Sequence, residues 1–479
     1  MPATVRLHLD QSLAPDPDRV IGRLFLPSIE PPHVHRAQDL VRRVLDLDDA
    51  TVSRLLPSVL AEYSRHHMDL EATLRANAAV VAPADEEISE ERRLLLGAAF
   101  TSEYTVEGAA LCNPSVVPHP DQCEGDDLRV AVSLRGIGEG HLSALEFVSA
   151  TISDGEWVFD QRREPLSTGS LSSAPVPRDL FAALVGDERE PDELTSSVLR
   201  SVPDPVQSTD VESVLIDLSP DLLLHPEAHV RVETLRRRAG SGYTVTFPAS
   251  TDLAQRVLVP AAEDERQGLE DARFTLFRDD DGTPSYRACY TAYDGQKIGN
   301  RILVSPDLAT FTSFPLTGPG ARNKGMALFP RRVHGRYLAL SRADGMTIGV
   351  TSSEDGYRWE QPHDIEGPRA PWQIVQVGNA SPPIETSAGW LVVTHGVGVM
   401  RSYSLGALLL HLDDPTQVIG RLEEPLLPPV RHAGYVPNVV FSCGAIIHGG
   451  RLFIPYGIGD LSVSVASVAL DELLADLGA

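Results

Sequence analysis

The polar residue that says most about the chemistry of this chain is a lysine. The sequence holds two lysines among 41 basic residues, and one of them, Lys324, lies in the run Arg-Asn-Lys-Gly at 322–325. A lysine ammonium is a compact point charge, whereas arginine presents a planar fork, so Lys324 is the kind of donor suited to a phosphate oxygen. Taken alone, it is more simply explained as an ordinary surface lysine. It indicates an anion site only if further charged motifs accompany it.

Such motifs follow in order along the chain. Glu270 and Asp271 stand in a Glu-Asp-Ala-Arg run, and Arg342, His395 and Tyr403 come later, at the ends of apolar runs. Singly, each has a plain structural reading, as a strand-turn residue, a strand-end ion pair or a half-buried aromatic. Their joint occurrence with Lys324 favours a site that combines an acid with a cluster of anion donors.

The ordered series of motifs resembles glycoside hydrolase family 130. It comprises residues 268–274, 322–332, 337–342, 389–397, 403–410, 414–421, 434–444 and 456–460. The resemblance runs, with interruptions, from about Phe100 to the C-terminus. It implies an all-β catalytic domain, a five-bladed β-propeller, and a β-mannoside phosphorylase or a β-mannosidase.

The phosphorylase reading implies inverting transfer of a mannosyl group to inorganic phosphate, which gives α-mannose 1-phosphate in a reversible reaction. An inverting hydrolase needs one carboxylic acid and a second carboxylate that activates water. Inorganic phosphate is already a nucleophile, so a phosphorylase needs one acid and a cationic cradle. The expected cofactor is none, with phosphate as co-substrate, and no metal is expected.

The resemblance assigns roles to individual residues. It implies that Asp271 is the general acid, with its proton relayed through the 3-hydroxyl of the bound mannosyl unit. It implies that phosphate is bound by Lys324, Arg342, His395 and Tyr403. It places the following residues at the sugar: Asn113, Arg135, His141, Glu270, Arg273 and Asp460.

Three positions depart from the usual family pattern. Ala272 stands where proline is common, Gly325 where aspartate commonly follows the lysine, and Ser341 where histidine commonly precedes the arginine. His141 also departs from the pattern of the shorter family members. The acid and the cations are retained, so these changes bear on the substrate more than on the reaction.

The elements that must position these residues change in character along the chain. Apolar residues recur at helical spacing between Leu40 and Leu96, which predicts an N-terminal helical module over 1–97. Short β-rich runs separated by Gly, Pro and Asp turns predict the five-bladed propeller over 98–479. A Pro/Ser-rich stretch at about 165–235, with helical patches at 179–185 and 193–199, predicts an insertion. Apolar periodicity does not decide whether the helical module packs on the propeller or on a partner subunit of a homo-oligomer.

Composition bounds the partners of the chain. Its 479 residues carry a formal charge of -26 with a pI near 4.9, which argues against nucleic acid and anionic membrane as partners, because both need a basic face. A local cationic pocket in an acidic protein still accommodates a small anion. The first residues lack the pattern of a signal peptide, so a cytoplasmic location is expected. Four cysteines without paired spacing predict reduced thiols with no metal.

Three rival functions remain open at this stage. A β-mannosidase of the same fold would replace phosphate by a water that a carboxylate activates. A catalytically idle propeller would bind sugar or serve as a scaffold. A propeller glycosidase acting on arabinosides or xylosides would use three carboxylates and would leave the cationic set unexplained.

Overall fold

The N-terminal part of the chain is a two-stranded ribbon that encloses four helices. The computed structural model describes residues 3–27, 35–83, 87–123, 125–188, 191–224, 226–429 and 434–479. The first elements are β1 (Arg6–Leu13), β2 (Val20–Leu24), α1 (Arg36–Leu45), α2 (Asp49–Tyr63), α3 (Leu70–Val81), α4 (Glu90–Ala99) and β3 (Thr101–Thr105). Strand β2 pairs with β3, so the four helices lie in the connection between two adjacent strands.

Side-chain caps fix where three of these helices begin. Asp48, Asp69 and Ser89 each accept a hydrogen bond from a backbone N–H in the first turn of α2, α3 and α4. Such a cap satisfies one of the amides that have no partner inside the helix. The helices bury a small apolar core around Leu96 and Phe100, which matches the helical spacing predicted between Leu40 and Leu96. Within the described ranges, no helix is both long and apolar enough to cross a bilayer.

Unit 1 is an antiparallel sheet of four strands in chain order. Its strands are β4 (Ala110–Pro118), β5 (Leu128–Ile137), β6 (Ser143–Ser153) and β7 (Glu156–Phe159). Asp154 and Gly155 join β6 to β7 with φ of 51° and 79°. Two left-handed residues in succession match the right-handed twist of a hairpin, which explains the Asp-Gly pair.

A largely helical insertion separates unit 1 from unit 2. It contains β8 (Ser170–Ser173), α5 (Arg178–Glu188), α6 (Glu193–Ser201), α7 (Ser208–Asp217), α8 (Pro220–Leu223), α9 (Ala228–Ala239), β9 (Tyr243–Thr246) and β10 (Val257–Leu258). The two helical patches predicted from sequence lie within α5 and α6. Helices α7 to α9 were not singled out, and helical structure continues to Ala239, slightly past the expected end of the insertion.

Units 2 to 5 repeat the antiparallel plan, and the first position of units 4 and 5 is divided between two short strands that pair with the same neighbour. Unit 2 has β11 (Gly268–Arg278), β12 (Pro284–Tyr293), β13 (Ile298–Ser305) and β14 (Thr310–Pro315), and β9 and β8 extend its edge beyond β14. Unit 3 has β15 (Ala327–Leu328), β16 (Tyr337–Ser341), β17 (Ile348–Ser353) and β18 (His363–Glu366). Unit 4 has β19 (Gln376–Asn379), β20 (Ile384–Glu385), β21 (Trp390–Val397), β22 (Tyr403–Leu410) and β23 (Val418–Arg421). Unit 5 has β24 (Val440–Phe441), β25 (Ile446–His448), β26 (Arg451–Ile458) and β27 (Ser462–Ala469), and α10 (Leu470–Asp476) follows.

The outermost strand of unit 5 comes from the other end of the chain. Strand β1 pairs antiparallel with β27, with Arg6 opposite Ser467 and Leu13 opposite Val463. The division predicted from sequence placed residues 6–13 in the helical module, but their backbone hydrogen bonds belong to the last sheet. Local periodicity could not reveal this pairing, because the partner strand lies at the opposite end of the sequence.

Consecutive units share apolar cores. Separate buried clusters join unit 1 to unit 2, unit 2 to unit 3, unit 3 to unit 4 and unit 4 to unit 5. A further cluster contains Val130 and Val132 of unit 1 together with Val463 and Val465 of unit 5. Strands β26 and β27 also contact β4. The fold is therefore mostly β. Each unit packs on the next, and the fifth unit packs on the first.

Candidate functional site

An asparagine and an aspartate occupy bulges in the first strands of units 1 and 2. The strand register shifts around Asn113 in β4 and around Asp271 in β11. The two residues have φ of 50° and 56°, a left-handed conformation that Asn and Asp adopt more readily than most other residues. At these bulges the side chains meet, and the Asn113 amide donates a hydrogen bond to the Asp271 carboxylate.

Two cations bind the carboxylates of Glu270 and Asp271. Arg135 on β5 donates from Nη2 to Glu270 Oε1 at 2.7 Å and from Nη1 to Asp271 Oδ1 at 3.3 Å. Its Nε donates to Ser143 Oγ at 2.9 Å, which fixes the plane of the guanidinium. Lys324 Nζ lies 2.5 Å from Glu270 Oε2. Glu270 is thus held between a cation of unit 1 and the lysine that precedes unit 3.

The field of these cations decides the charge of Asp271. Burial raises the pKa of the Asp271 carboxyl, but the charges of Arg135, Lys324 and Arg273 and the hydrogen bond from Asn113 outweigh burial and lower the pKa to about 2. In the absence of a bound anion, Asp271 is therefore ionised at neutral pH.

A second group of donors is almost completely buried beside this carboxylate. Arg273 is 2% exposed, His395 is 1% exposed and Arg342 is 9% exposed. Arg273 donates to the backbone oxygen of Asp271 at 3.1 Å, and Arg342 donates to that of Gly345 at 2.8 Å. Among the described residues, Nε of both arginines and Nδ1 of His395 have no hydrogen-bond partner. Buried donors without partners are costly, so they indicate a ligand that would satisfy them.

Burial also sets the charge of these donors. Burial and the charges of Arg342 and Arg273 hold the pKa of His395 well below its usual range, so its imidazole is neutral. Burial and the charge of Arg273 lower the pKa of Arg342 to about 10, which still leaves it a cation at neutral pH. The group therefore offers two guanidinium cations and one neutral imidazole.

Two glycines make room for the Arg342 side chain. A Cβ on Gly378 would lie 2.4 Å from Arg342 Nε and 2.5 Å from His395 Cε1. A Cβ on Gly325 would lie 3.0 Å from Arg342 Cδ. Gly325 is the position where the family commonly has aspartate, and the close approach of Arg342 gives a physical reason for glycine here.

The loop that carries Lys324 is held from both sides. Asn323 and Gly325 have φ of 64° and 95°. Asn300 of unit 2 donates to the backbone oxygens of residues 321 and 323, at 2.8 and 2.5 Å, and Asn379 of unit 4 donates to that of Gly325 at 2.8 Å. Both asparagines are buried. Two neighbouring units thus fix the backbone on either side of the lysine.

Tyr403 flanks the same group from the start of β22. Its ring is stacked with that of His395 at a centroid distance of 6.2 Å, and its hydroxyl accepts a hydrogen bond from Arg401 at 2.9 Å. Phe441 of unit 5 also contacts the imidazole, with a ring distance of 4.7 Å, and its ring lies 6.3 Å from that of Tyr403. Tyr403 is half-buried, so it lies between the buried donors and solvent.

Two of the predicted sugar residues lie farther out. Asp460, in the turn between β26 and β27, is half-buried, and its φ is 49°. Burial and the nearby Asp271 raise the pKa of Asp460, whereas Arg135 opposes this shift. His141 is exposed in the turn between β5 and β6, and its ring lies 6.1 Å from that of Tyr435.

The predicted residues therefore fall into two groups. The structure brings together Asn113, Arg135, Glu270, Asp271, Arg273 and Lys324 by contact, with Arg342, His395 and Tyr403 adjacent to them and Asp460 within electrostatic range. His141 lies apart, at the rim. Sequence reasoning did not single out Asn300, Gly378 or Asn379, and it included Tyr435 and Phe441 in the 434–444 motif without assigning them a role. The Gly-Asn pair at 378–379, which Ala-Ser separates from two prolines, was the available signal of a special backbone position.

Comparisons with known proteins identify the family. The profile of glycoside hydrolase family 130, described as beta-1,4-mannooligosaccharide phosphorylase, matches residues 241–477. A 1,2-beta-oligomannan phosphorylase of Thermoanaerobacter sp. (strain X514) is 32% identical over 232 residues, which cover 46% of this chain and 75% of that protein. A beta-1,2-mannobiose phosphorylase of Listeria innocua serovar 6a is 32% identical over 231 residues, which cover 46% of this chain and 63% of that protein. The solved structure of beta-1,2-mannobiose phosphorylase from Listeria innocua with beta-1,2-mannobiose aligns with 77% of this chain and 92% of that chain, at 21% identity and a TM-score of 0.45.

The chain belongs to glycoside hydrolase family 130, as its motifs predicted, and it is an enzyme of the phosphorylase type. The matched relatives are named for different linkages, β-1,2 and β-1,4. Family membership alone therefore does not set the linkage that this chain acts on.

Proposed function

We propose that this enzyme catalyses the reversible, inverting phosphorolysis of a β-mannoside and gives α-mannose 1-phosphate. The observation that carries the proposal is the set of buried donors without partners beside Asp271, namely Arg273 Nε, Arg342 Nε and His395 Nδ1, together with Lys324. A small tetrahedral anion satisfies several convergent donors at once. The mannoside phosphorylases among the relatives support the same reading.

In the proposed reaction the mannosyl unit lies between Asp271 and the buried donors. A phosphate oxygen forms a bond to the anomeric carbon as the bond from that carbon to the leaving oxygen breaks. The proton of Asp271 reaches the leaving oxygen, directly or through the 3-hydroxyl of the mannosyl unit as the family resemblance implies. Attack from the opposite face converts the β-linkage into an α-phosphate.

Phosphate itself prepares Asp271 to act as an acid. Without phosphate, the cations around Asp271 hold its pKa near 2. A bound phosphate dianion offsets the field of Lys324, Arg273 and Arg342, and a nearby negative charge raises the pKa of a carboxyl. The site therefore becomes able to hold the catalytic proton when the nucleophile has bound.

Hydrolysis is the second candidate, because Asp460 is a further carboxyl in the same site. Its raised pKa and half-buried position are properties that a general base can have. A base for water must, however, face the anomeric carbon from the side opposite the leaving group. Asp460 belongs to unit 5 and interacts with Arg135, whereas the buried donors belong to units 2, 3 and 4, so phosphorolysis is favoured.

The proposal extends to the architecture. The five antiparallel units are arranged as a five-bladed β-propeller, and the order of their shared cores supports this arrangement. The catalytic domain comprises 98–479 together with strand β1. The helices in the remainder of 1–97 form an appended module, and the insertion near 165–235 packs where units 2 and 3 meet.

The test is phosphate dependence of β-mannoside cleavage. Purified enzyme is incubated with β-1,2- and β-1,4-mannobiose in the presence and in the absence of phosphate, and the products are identified by NMR. We expect cleavage only with phosphate and α-mannose 1-phosphate as a product. Cleavage at the same rate without phosphate would assign the enzyme to the hydrolases, with Asp460 as the first candidate for the base.

A further inference from the structure

An exposed tyrosine stands at the edge of the candidate site. Tyr435 is 60% exposed, and the only other exposed Phe, Tyr or Trp side chain in the described ranges is Phe25, at 54%. A large aromatic surface left in water at the rim of a ligand site is typical of a residue that contacts the ligand. Its ring lies 6.1 Å from that of His141, with an angle of 41° between the ring planes.

The backbone that carries Tyr435 is fixed against two candidate site residues. Val436 N–H donates to the oxygen of Gly459, next to Asp460, at 2.7 Å. Tyr403 N–H donates to the oxygen of Asn438 at 2.9 Å. A Cβ on Gly434 would lie only 2.4 Å from the Gly459 oxygen, so the segment runs in direct contact with the 459–460 turn. Tyr435 is therefore held between Asp460 and Tyr403.

The turn that carries His141 is held over the same end of unit 2 as Asp271. Gln267, which directly precedes β11, donates from its side chain to the backbone oxygen of Gly140 at 2.7 Å. His141 thus projects from unit 1 at the end of the sheet where Arg135 and Asp271 meet. Together, His141 and Tyr435 present one imidazole and one phenol ring across the boundary between units 1 and 5.

This boundary lies opposite the buried donors. Arg273 belongs to unit 2, Arg342 follows a strand of unit 3, and His395 belongs to unit 4, so these donors centre on unit 3. In a ring of five units, the side opposite unit 3 is the boundary of units 5 and 1. Inverting displacement places the nucleophile and the leaving group on opposite sides of the anomeric carbon. If phosphate binds on the side of unit 3, the leaving sugar lies toward the boundary of units 1 and 5.

The geometry points to Tyr435, with His141, as the subsite for the acceptor sugar, the neutral hexopyranose that leaves in phosphorolysis and attacks in synthesis. This inference rests on the proposed function. The ring of Tyr435 covers the apolar C–H face of the pyranose, and the His141 imidazole forms a hydrogen bond with one of its hydroxyls. The pair would set which acceptor is used without touching the mannosyl unit or the phosphate.

The experiment separates acceptor binding from donor binding in the synthetic direction. Phosphate release is measured with α-mannose 1-phosphate and a series of acceptor sugars, for wild type, Y435A, Y435F and the control F25A, which removes the other exposed aromatic ring. We expect Y435A to raise the acceptor KM about tenfold, which is the size of one aromatic contact. The KM for α-mannose 1-phosphate should change less than twofold, and Y435F and F25A should resemble wild type.

Two kinetic outcomes would overturn the inference while leaving the proposed function intact. One is an acceptor KM of Y435A within twofold of wild type, and the other is an equal rise in both KM values. If wild type releases no phosphate with any acceptor, the proposed function fails, and saturation-transfer NMR with β-mannobiose then decides the role of Tyr435. Loss of the reducing-end signals in Y435A alone would support the subsite, whereas unchanged or absent signals in both proteins would overturn it.

Discussion

Lys324 Nζ lies 2.5 Å from Glu270 Oε2, on a carboxylate whose other oxygen is bound by Arg135. The lysine is 40% exposed, so its ammonium is accessible from solvent even while it is paired. Phosphate would draw this ammonium away from Glu270 or share it. Arg135 would remain to balance the Glu270 charge.

The first prediction concerns the lysine. Lys324→Met should raise the KM for phosphate about 10- to 100-fold, which is the value of a hydrogen bond to a charged group. The matched control is Lys297→Met, because Lys297 is the other lysine of the chain and lies exposed in the turn between β12 and β13. Steady-state kinetics with varied phosphate give both values. Equal effects of the two variants would show that Lys324 has no special role.

Labelling gives a test of the same lysine that needs no turnover. An amine-reactive reagent can modify only Lys297, Lys324 and the N-terminus. Phosphate should protect Lys324 and leave Lys297 unprotected, as measured by mass spectrometry of peptides. Equal labelling of Lys324 with and without phosphate would contradict its place in the anion site.

The second prediction concerns the acid and its proton. Asp271→Asn should lower kcat at least 100-fold, because it removes the proton donor. The native pKa near 2 lies below the value of 3.8 for an unperturbed aspartate. The ionised carboxylate therefore adds about 2 kcal/mol of stability above pH 4, which is lost as pH falls toward 2. The acid unfolding curve of Asp271→Asn should lack this component.

Phosphate binding should also take up protons at Asp271. Calorimetric titration with phosphate at pH 7, in buffers with different heats of ionisation, measures the protons taken up on binding. Wild type should take up more protons than Asp271→Asn. Protonation of phosphate itself contributes equally in the two proteins, so the difference reports on Asp271. Identical uptake by the two proteins would mean that phosphate does not raise the pKa of Asp271.

The third prediction concerns Gly378. Its φ lies outside the left-handed region, so alanine suits the backbone, but the new Cβ would meet Arg342 Nε and His395 Cε1. Gly378→Ala should therefore raise the KM for phosphate at least tenfold by displacing these donors. Gly299→Ala is the control, because a Cβ on this strand glycine meets no atom within 4 Å. A Gly378→Ala enzyme as active as the control would show that the two side chains adjust freely.

The fourth prediction concerns the attachment of the N-terminal segment. Arg19 is fully buried and pairs with Glu107 at 2.9 Å and with Glu146 at 2.8 Å. Glu107 also pairs with Arg162 at 2.6 Å. Arg19→Met therefore leaves Glu107 with Arg162 alone and removes the cation that pairs with the buried Glu146, which should lower the free energy of unfolding by about 3–5 kcal/mol. The exposed Arg23→Met is the control, with an expected loss below about 1 kcal/mol. Denaturant unfolding of the two variants measures both effects, and equal losses would contradict the account.

Most of the residues that the sequence motifs predicted for the site lie together in the structure. Asp271 and Lys324 lie in short runs that contain residues with positive φ. The Gly and Asn residues that favour this conformation, such as Gly268 and Asn323, can be recognised in the sequence. The predicted roles of these residues remain predictions, because position alone does not establish catalysis. His141 was expected in the pocket, but it lies exposed at the rim.

Other features depend on contacts that no local pattern encodes. The pairing of β1 with β27 joins the two ends of the chain, and the sequence of residues 6–13 does not predict which strand they pair with. Gly378 leaves space for the Arg342 side chain, and Tyr435 lies close to His141. Both contacts depend on how separate units pack. Helices α7 to α9 lie in a Pro/Ser-rich stretch whose composition is typical of irregular structure. Apolar contacts with units 2 and 3 stabilise them.

The most direct measurement is phosphate release from α-mannose 1-phosphate in the presence of mannose, glucose or N-acetylglucosamine as acceptor. A β-mannoside phosphorylase should release phosphate with at least one acceptor and form a new β-mannoside, and Asp271→Asn should abolish both. Absence of release with every acceptor, together with cleavage of β-mannosides that does not depend on phosphate, would contradict the assignment of Lys324, Arg342 and His395 to phosphate.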